Sequence, residues 1–127
     1  MNRPVSFLDL EDLLYLAGVL LGNPPPVREV GLLGAAVARP QTTVFGDDAY
    51  PDLWTKAAAL LQSIVKGHPL VDGNKRLGWL ATATFLEING IGATSIPNQD
   101  VFRFVMRIAA GRDDVDQMAG DLRQVLA

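Results

Sequence analysis

Apolar residues recur at intervals of three and four along almost the whole chain, and clusters of Gly, Pro, Asn and Asp interrupt them. That period belongs to the α-helix, in which side chains at i, i+3, i+4 and i+7 share one face. Leu10, Leu13, Leu14, Ala17 and Leu21 set out a first helix ended by Gly22-Asn23-Pro24-Pro25-Pro26, with Ser6 and Asp9 reading as its capping box. Val30, Leu33, Ala36 and Val37 mark a shorter second helix that stops before Pro40. In a third, capped by Asp52 and stopped by Gly67, Leu53, Ala57, Leu60, Leu61, Ile64 and Val65 share a face. A fourth, after Asp72-Gly73, carries Leu77, Leu80, Ala81, Thr84, Phe85 and Ile88, while Trp79, Ala83 and Leu86 make its other faces apolar too. Apolar character all round predicts the central helix of a bundle. Val101, Phe102, Val105, Ile108 and Ala109 follow Ile96-Pro97-Asn98 as a fifth, and Asp114 or Asp116 opens a sixth with Met118, Leu122 and Val125.

One stretch departs from the helical period. Thr42-Thr43-Val44-Phe45 is β-branched and aromatic, Gly46-Asp47-Asp48 is turn chemistry, and Tyr50-Pro51 closes the segment, which predicts a hairpin. The expected fold is all-α: a compact bundle of about six helices with a short β-hairpin flap. At 127 residues, with no repeat or linker, residues 1–127 form a single domain. A chain of this size buries roughly two thirds of its unfolded surface, enough for a core without staples. Cysteine is absent, so a disulfide scaffold, a cysteine-ligated zinc site and a catalytic thiol are excluded, and a single His excludes a multi-histidine metal site.

The net charge of −3 leaves no global positive field for a nucleic-acid backbone or an anionic membrane, so any anion site must be local. Met1-Asn2-Arg3-Pro4 runs into Asp9, Glu11 and Asp12 before an apolar core could develop and does not read as a secretion signal. The most apolar stretch, Leu77 to Ile88, is too short to span a bilayer. The expectation is a cytoplasmic protein that contacts neither membrane nor nucleic acid directly.

The chemistry concentrates in Lys66-Gly67-His68-Pro69-Leu70-Val71-Asp72-Gly73-Asn74-Lys75-Arg76, which holds the single His, a carboxylate and three of the 11 basic residues. Gly67 to Gly73 reads as a loop, and Gly73-Asn74-Lys75-Arg76 as the first turn of the fourth helix. Backbone N–H groups at a helix start lack intrahelical partners and favour an anion. Lys75 and Arg76 add charge-assisted donors there, against the helix dipole, an arrangement that suits a bound phosphate. Asp72 beside phosphates is a candidate Mg²⁺ ligand. The imidazole of His68 is the side-chain type that ordinarily titrates near neutral pH, as a base accepting a hydroxyl proton requires. Base, metal and anion donors together describe phosphoryl or nucleotidyl transfer. A Walker loop fails on spacing, because five residues separate Gly67 from Gly73 and no strand precedes it. A Ser63–His68–Asp72 hydrolase triad lacks a nucleophile elbow. Asp72-Gly73-Asn74 could also be a plain turn and cap, which leaves Lys75-Arg76 unexplained. Trp79 and Phe85 read as core, Asp113-Asp114 and Asp116 as a solvated helix start, and Arg103, Arg107 and Arg112 as a solvated face.

His68-Pro69-Leu70-Val71-Asp72-Gly73-Asn74-Lys75-Arg76 resembles the signature loop of the Fic/Doc family, most closely its death-on-curing (Doc) branch. Further similarity lies in Gly31-Leu32-Leu33 with Ala38-Arg39-Pro40, in Phe45-Gly46 and Tyr50-Pro51, and in Phe85-Leu86-Glu87-Ile88-Asn89-Gly90. The resemblance implies a helical toxin that modifies a protein hydroxyl and is silenced by a partner antitoxin. It implies His68 as base, Asp72 as the Mg²⁺ ligand, and Gly73, Asn74, Lys75 and Arg76 as holders of the phosphates of ATP. It also implies a flap, here Thr42, Thr43, Val44 and Phe45 onward to Asp48, that aligns the target as an added strand. Lys75 stands where most family members have a small Gly, and Trp79 where the AMP-transferring pattern has a second Arg. Both departures favour a kinase over an adenylyltransferase, with a Ser or Thr of elongation factor Tu as the implied target and translation blocked. Leu70 replaces the usual Phe, which leaves a catalytically degenerate Fic-fold binding protein as another reading. The family's self-inhibitory Ser/Thr-x-x-x-Glu helix is not evident, since Ser6 to Glu11 is one residue too long, and inhibition in trans is therefore expected.

Overall fold

The computed structural model describes residues 4–93, 96–111 and 114–126. Its elements are α1 (Leu10–Leu21), α2 (Val30–Ala38), β1 (Thr43–Val44), β2 (Asp47–Asp48), α3 (Leu53–Gly67), α4 (Asn74–Ile88), α5 (Asn98–Ala110) and α6 (Val115–Leu126), with a single 3₁₀ turn at Arg39–Gln41 between α2 and β1. This is the expected all-α bundle with a hairpin. No helix among the described residues is long and apolar enough to cross a membrane.

The cap of α1 lies three residues later than the sequence suggests. Asp9 accepts the Asp12 N–H and Asp12 accepts the Asp9 N–H in a reciprocal box. Ser6 is instead pinned to the far end of α4: its N–H donates to the Asn89 side chain, whose amide donates back to the Ser6 carbonyl. The extended entry lets Phe7 stack on Phe85 at 6.0 Å and buries Leu8, and that burial decides where the helix can begin. Asp52 caps α3 and Asp114 accepts the Gln117 N–H at the start of α6, both as the sequence predicts. Arg112 and Asp113 lie outside the described residues.

The central helix is α3, where the sequence pointed to α4. Every residue from Thr55 to Leu61 is buried, and α3 packs against α2, the 3₁₀ turn, α4, α5 and α6. Ala57, Ala58 and Ala59 allow this, because small side chains let neighbours approach from several sides. Thr55, Lys56 and Gln62 gave α3 the look of an amphipathic surface helix, but Lys56 is only 3% exposed. α4 keeps an open apolar side instead, where Trp79, Leu80 and Ala83 line a cleft against α5. Arg107 stays exposed, as the solvated-face reading expects, while it pairs with Asp121 across α5 and α6 and lies over the Phe104 ring.

α3 and α4 approach closely at Gly78, where a Cβ would stand 2.8 Å from Val65 Cγ2 and 3.2 Å from Leu61 Cδ1. Gly78→Val should therefore force α3 and α4 apart and cost about 1–3 kcal/mol. Urea unfolding checks this, with a lowered midpoint and an unchanged slope expected.

Candidate active site

α3 and α4 meet at the chemistry-bearing loop, and the chain between them is held by backbone and side-chain bonds. α3 continues through Gly67, and His68 takes the left-handed capping position at φ 52°, ψ 57°, its N–H bonding the Ile64 carbonyl. A residue with a Cβ adopts this conformation when its surroundings over-determine it. The surroundings are supplied by the proline-rich segment after α1. Arg28 donates from Nε to the His68 carbonyl at 2.8 Å and from Nη2 to the Gly67 carbonyl at 3.1 Å. A cation on the last carbonyls of α3 also suits the negative end of the helix dipole. The Arg28 and Glu29 N–H groups both bond the Pro69 carbonyl, and the Val71 N–H bonds the Pro26 carbonyl.

Asn74 closes the loop. Its Oδ1 accepts the Leu70 N–H at 2.9 Å and its Nδ2 donates to the Leu70 carbonyl at 3.0 Å, so one buried carboxamide satisfies both backbone groups of one buried residue. The Leu70 side chain fills the core at 1% exposure and anchors the loop as an aromatic residue would. Nδ2 of Asn74 also lies 3.4 Å from His68 Nδ1. An amide nitrogen can only donate, so a hydrogen bond here engages the Nδ1 lone pair of the neutral tautomer that carries its proton on Nε2.

Gly73 precedes α4 at φ 86° with no side-chain cap, and the first helical N–H to find a backbone partner is that of Leu77, on the Gly73 carbonyl. The Asn74, Lys75 and Arg76 N–H groups thus form an uncapped helix start, flanked by the exposed Lys75 and Arg76 side chains. A Cβ on Gly73 would come within 2.7 Å of Leu21 at the end of α1, so conformation and space both call for glycine. Asp72 is exposed and accepts the Gly73 N–H on one oxygen. The described residues hold no group of three or more metal-ligating side chains, and a single carboxylate beside phosphate donors is the donor set that suits Mg²⁺ arriving with a nucleotide.

The remaining sequence candidates sort by place. Ser63 accepts from Arg39 at 3.1 Å. Lys66 donates to the Gly111 carbonyl and is a structural tie. Trp79 meets Phe104 edge-on, and Phe85 is core. The hairpin is fully exposed, with Thr43 opposite Asp48 and Val44 opposite Asp47, and it turns through Phe45 and Gly46, both at positive φ. An open cleft of about 830 Å³ between α2 and α3 joins it to the loop, running from Thr42 at the flap's foot to Gly67 beside His68.

The Fic/DOC family model matches residues 7–86, a span that includes this loop, the flap, α3 and most of α4. The chain belongs to the Fic/Doc family. It is also 51% identical over 118 residues to toxin Doc of Mycolicibacterium smegmatis, covering 92% of this chain and 91% of that protein. Family membership does not by itself disclose Arg28 and Arg39, whose positioning roles sequence reasoning missed. Arg39 spans Tyr50, Gln62, Ser63 and the Ala59 carbonyl.

Because Asn74 alone satisfies the buried Leu70 backbone, Asn74→Ala should cost about 1–3 kcal/mol. It should also speed hydrogen exchange at the Leu70 amide beyond what the global loss explains, measurable by NMR alongside denaturant unfolding.

Proposed function

We propose that this chain is a Doc-like toxin that transfers the γ-phosphoryl group of ATP to a Ser or Thr hydroxyl of a protein. The observation that carries this reading is an exposed imidazole, fixed in a left-handed helix cap, one short loop away from an uncapped helix start that carries two cations. The Asn74, Lys75 and Arg76 N–H groups and the Lys75 and Arg76 side chains hold the phosphates. Since the Asn74 carboxamide is engaged with Leu70, its share of that task falls to its backbone N–H. Asp72 would hold Mg²⁺, which neutralises phosphate charge when bound.

In the transfer, the acceptor oxygen bonds the γ-phosphorus as the bond to the β–γ bridging oxygen breaks. ADP leaves with the electron pair, and the hydroxyl proton passes to the His68 ring. The flap and the cleft at its foot present the target segment, Thr43 and Val44 offering it a strand edge. Lys75 in place of the family's small residue, and Trp79 in place of a second Arg, support delivery of the terminal phosphate over AMP. Elongation factor Tu is the acceptor the Doc resemblance suggests, and on that reading the toxin acts in the cytoplasm.

A separate antitoxin chain silences the toxin. The apolar cleft of about 580 Å³ between α4 and α5 offers it a seat, lined by Trp79, Leu80, Phe102 and Met106 and ending at Lys75 and Arg76. A segment folding there covers the cations that the phosphates need.

His68→Ala should abolish transfer and leave the thermal midpoint within a few degrees, since the ring is exposed. Incubation with γ-labelled and α-labelled ATP and purified elongation factor Tu tests the reaction. Label from the γ position supports the kinase, label from the α position makes the enzyme an adenylyltransferase, and neither leaves a binding protein. Phe102→Asp should weaken antitoxin binding at least tenfold, about 1.4 kcal/mol, by calorimetry.

A further inference from the structure

Lys56 is a buried lysine that neither packing nor the site described above explains. It lies mid-face on α3 with its side chain 4% exposed, a costly place for an ammonium unless it is paired. Its Nζ donates to Asp48 Oδ2 at 3.2 Å and to the Tyr50 carbonyl. Both acceptors belong to the strand and exit of the flap. Methionine would fill the same space without the desolvation penalty, so the ammonium points to a positional task.

The flap needs such a device. Its strands are two residues each, both are wholly exposed, and Phe45 at its tip touches no core. A hairpin with no buried face is marginal in water, so apolar packing cannot decide where it stands. What fixes it is its foot. The Ala49 N–H bonds the Thr42 carbonyl, Thr42 bonds the Arg39 carbonyl, and Arg39 bonds the Tyr50 hydroxyl on the other side. Lys56 is the contact that ties β2 itself to the core. It sits on the same rigid helix whose last carbonyl leads into His68, about 18 Å along the axis.

We propose that Lys56 is a positioning residue, whose buried ammonium locks the flap to α3 and so sets the flap's place relative to His68 for presentation of the protein acceptor. The physical tether stands on the contacts above, and its catalytic consequence rests on the transferase reading. The tether holds the acceptor segment and leaves nucleotide binding at the start of α4 untouched.

The test uses the full chain with Lys56→Met, which keeps the apolar stem, and with Asp48→Asn, which keeps an acceptor oxygen on the exposed strand and removes only its charge. Hydrogen exchange at the Ala49 and Asp47 amides should accelerate at least tenfold in Lys56→Met, with the α3 and α4 amides unchanged. With γ-labelled ATP and elongation factor Tu, kcat/KM for the protein acceptor should fall at least tenfold in Lys56→Met. Mg-ATP affinity should stay within twofold, a split that general destabilisation would not produce. Asp48→Asn should shift both readouts in the same direction, and the double variant should be no worse than Lys56→Met, because the two residues act through one contact. Unchanged flap exchange in both single variants overturns the tether. Loosened exchange with an unchanged kcat/KM for the acceptor overturns its positioning role. If the wild-type chain modifies no protein, the transferase reading and the catalytic consequence both fall, while the exchange measurement still decides whether Lys56 locks the flap.

Discussion

The carboxamide of Asn74 closing on both backbone groups of Leu70 is the contact on which the site depends. A loop between two buried helices must satisfy its own polar groups or lose more than packing can return. With Leu70 pinned in the core, the chain can enter α4 only through the left-handed Gly73, which leaves the helix start uncapped and the side chains of Lys75 and Arg76 outside. One buried polar pair thus produces the exposed cationic turn. Arg28 does the complementary work at the other end by gripping the last carbonyls of α3, which lets a histidine occupy a position where glycine is usual.

Rigidity in this molecule is distributed through α3. Buried along much of its length, it carries His68 at its end, receives the flap through Lys56 near its start, and takes the 3₁₀ turn through Arg39. His68 and the flap are therefore mounted on one element. The cations of α4 are referred to the same element by the close crossing at Gly78. The proposed transfer would need that common frame, since reacting groups misplaced by about 1 Å forfeit much of the rate.

Much of this was open to reading from the chain. Helical spacing located six helices, and β-branched residues followed by Gly46 located the hairpin. The His68–Arg76 segment stood out because it concentrates charge and glycine between apolar runs. Three things were hidden for physical reasons. The α1 cap moved from Ser6 to Asp9 because Phe7 and Leu8 are drawn into the core, a tertiary demand that overrides a local pattern. The identity of the central helix was obscured because Lys56 made α3 look amphipathic. Yet Lys56 lies three residues after Leu53 and four before Leu60, on the apolar stripe, and that offset was the available signal. Arg28 carried no signal, because its partners are backbone carbonyls about 40 positions away.

The sequence by itself determined the fold class, the family and the inventory of reactive groups, because periodicity, turn chemistry and motif spacing are local properties written along one dimension. The tertiary structure alone decided which of those groups face outward and which are consumed inside. The Asn74 carboxamide latches onto Leu70 and leaves only its backbone N–H at the helix start, while Lys56, charged as it is, is a buried tie. Burial and hydrogen-bond partnership depend on what the rest of the chain brings alongside, and no local pattern encodes that.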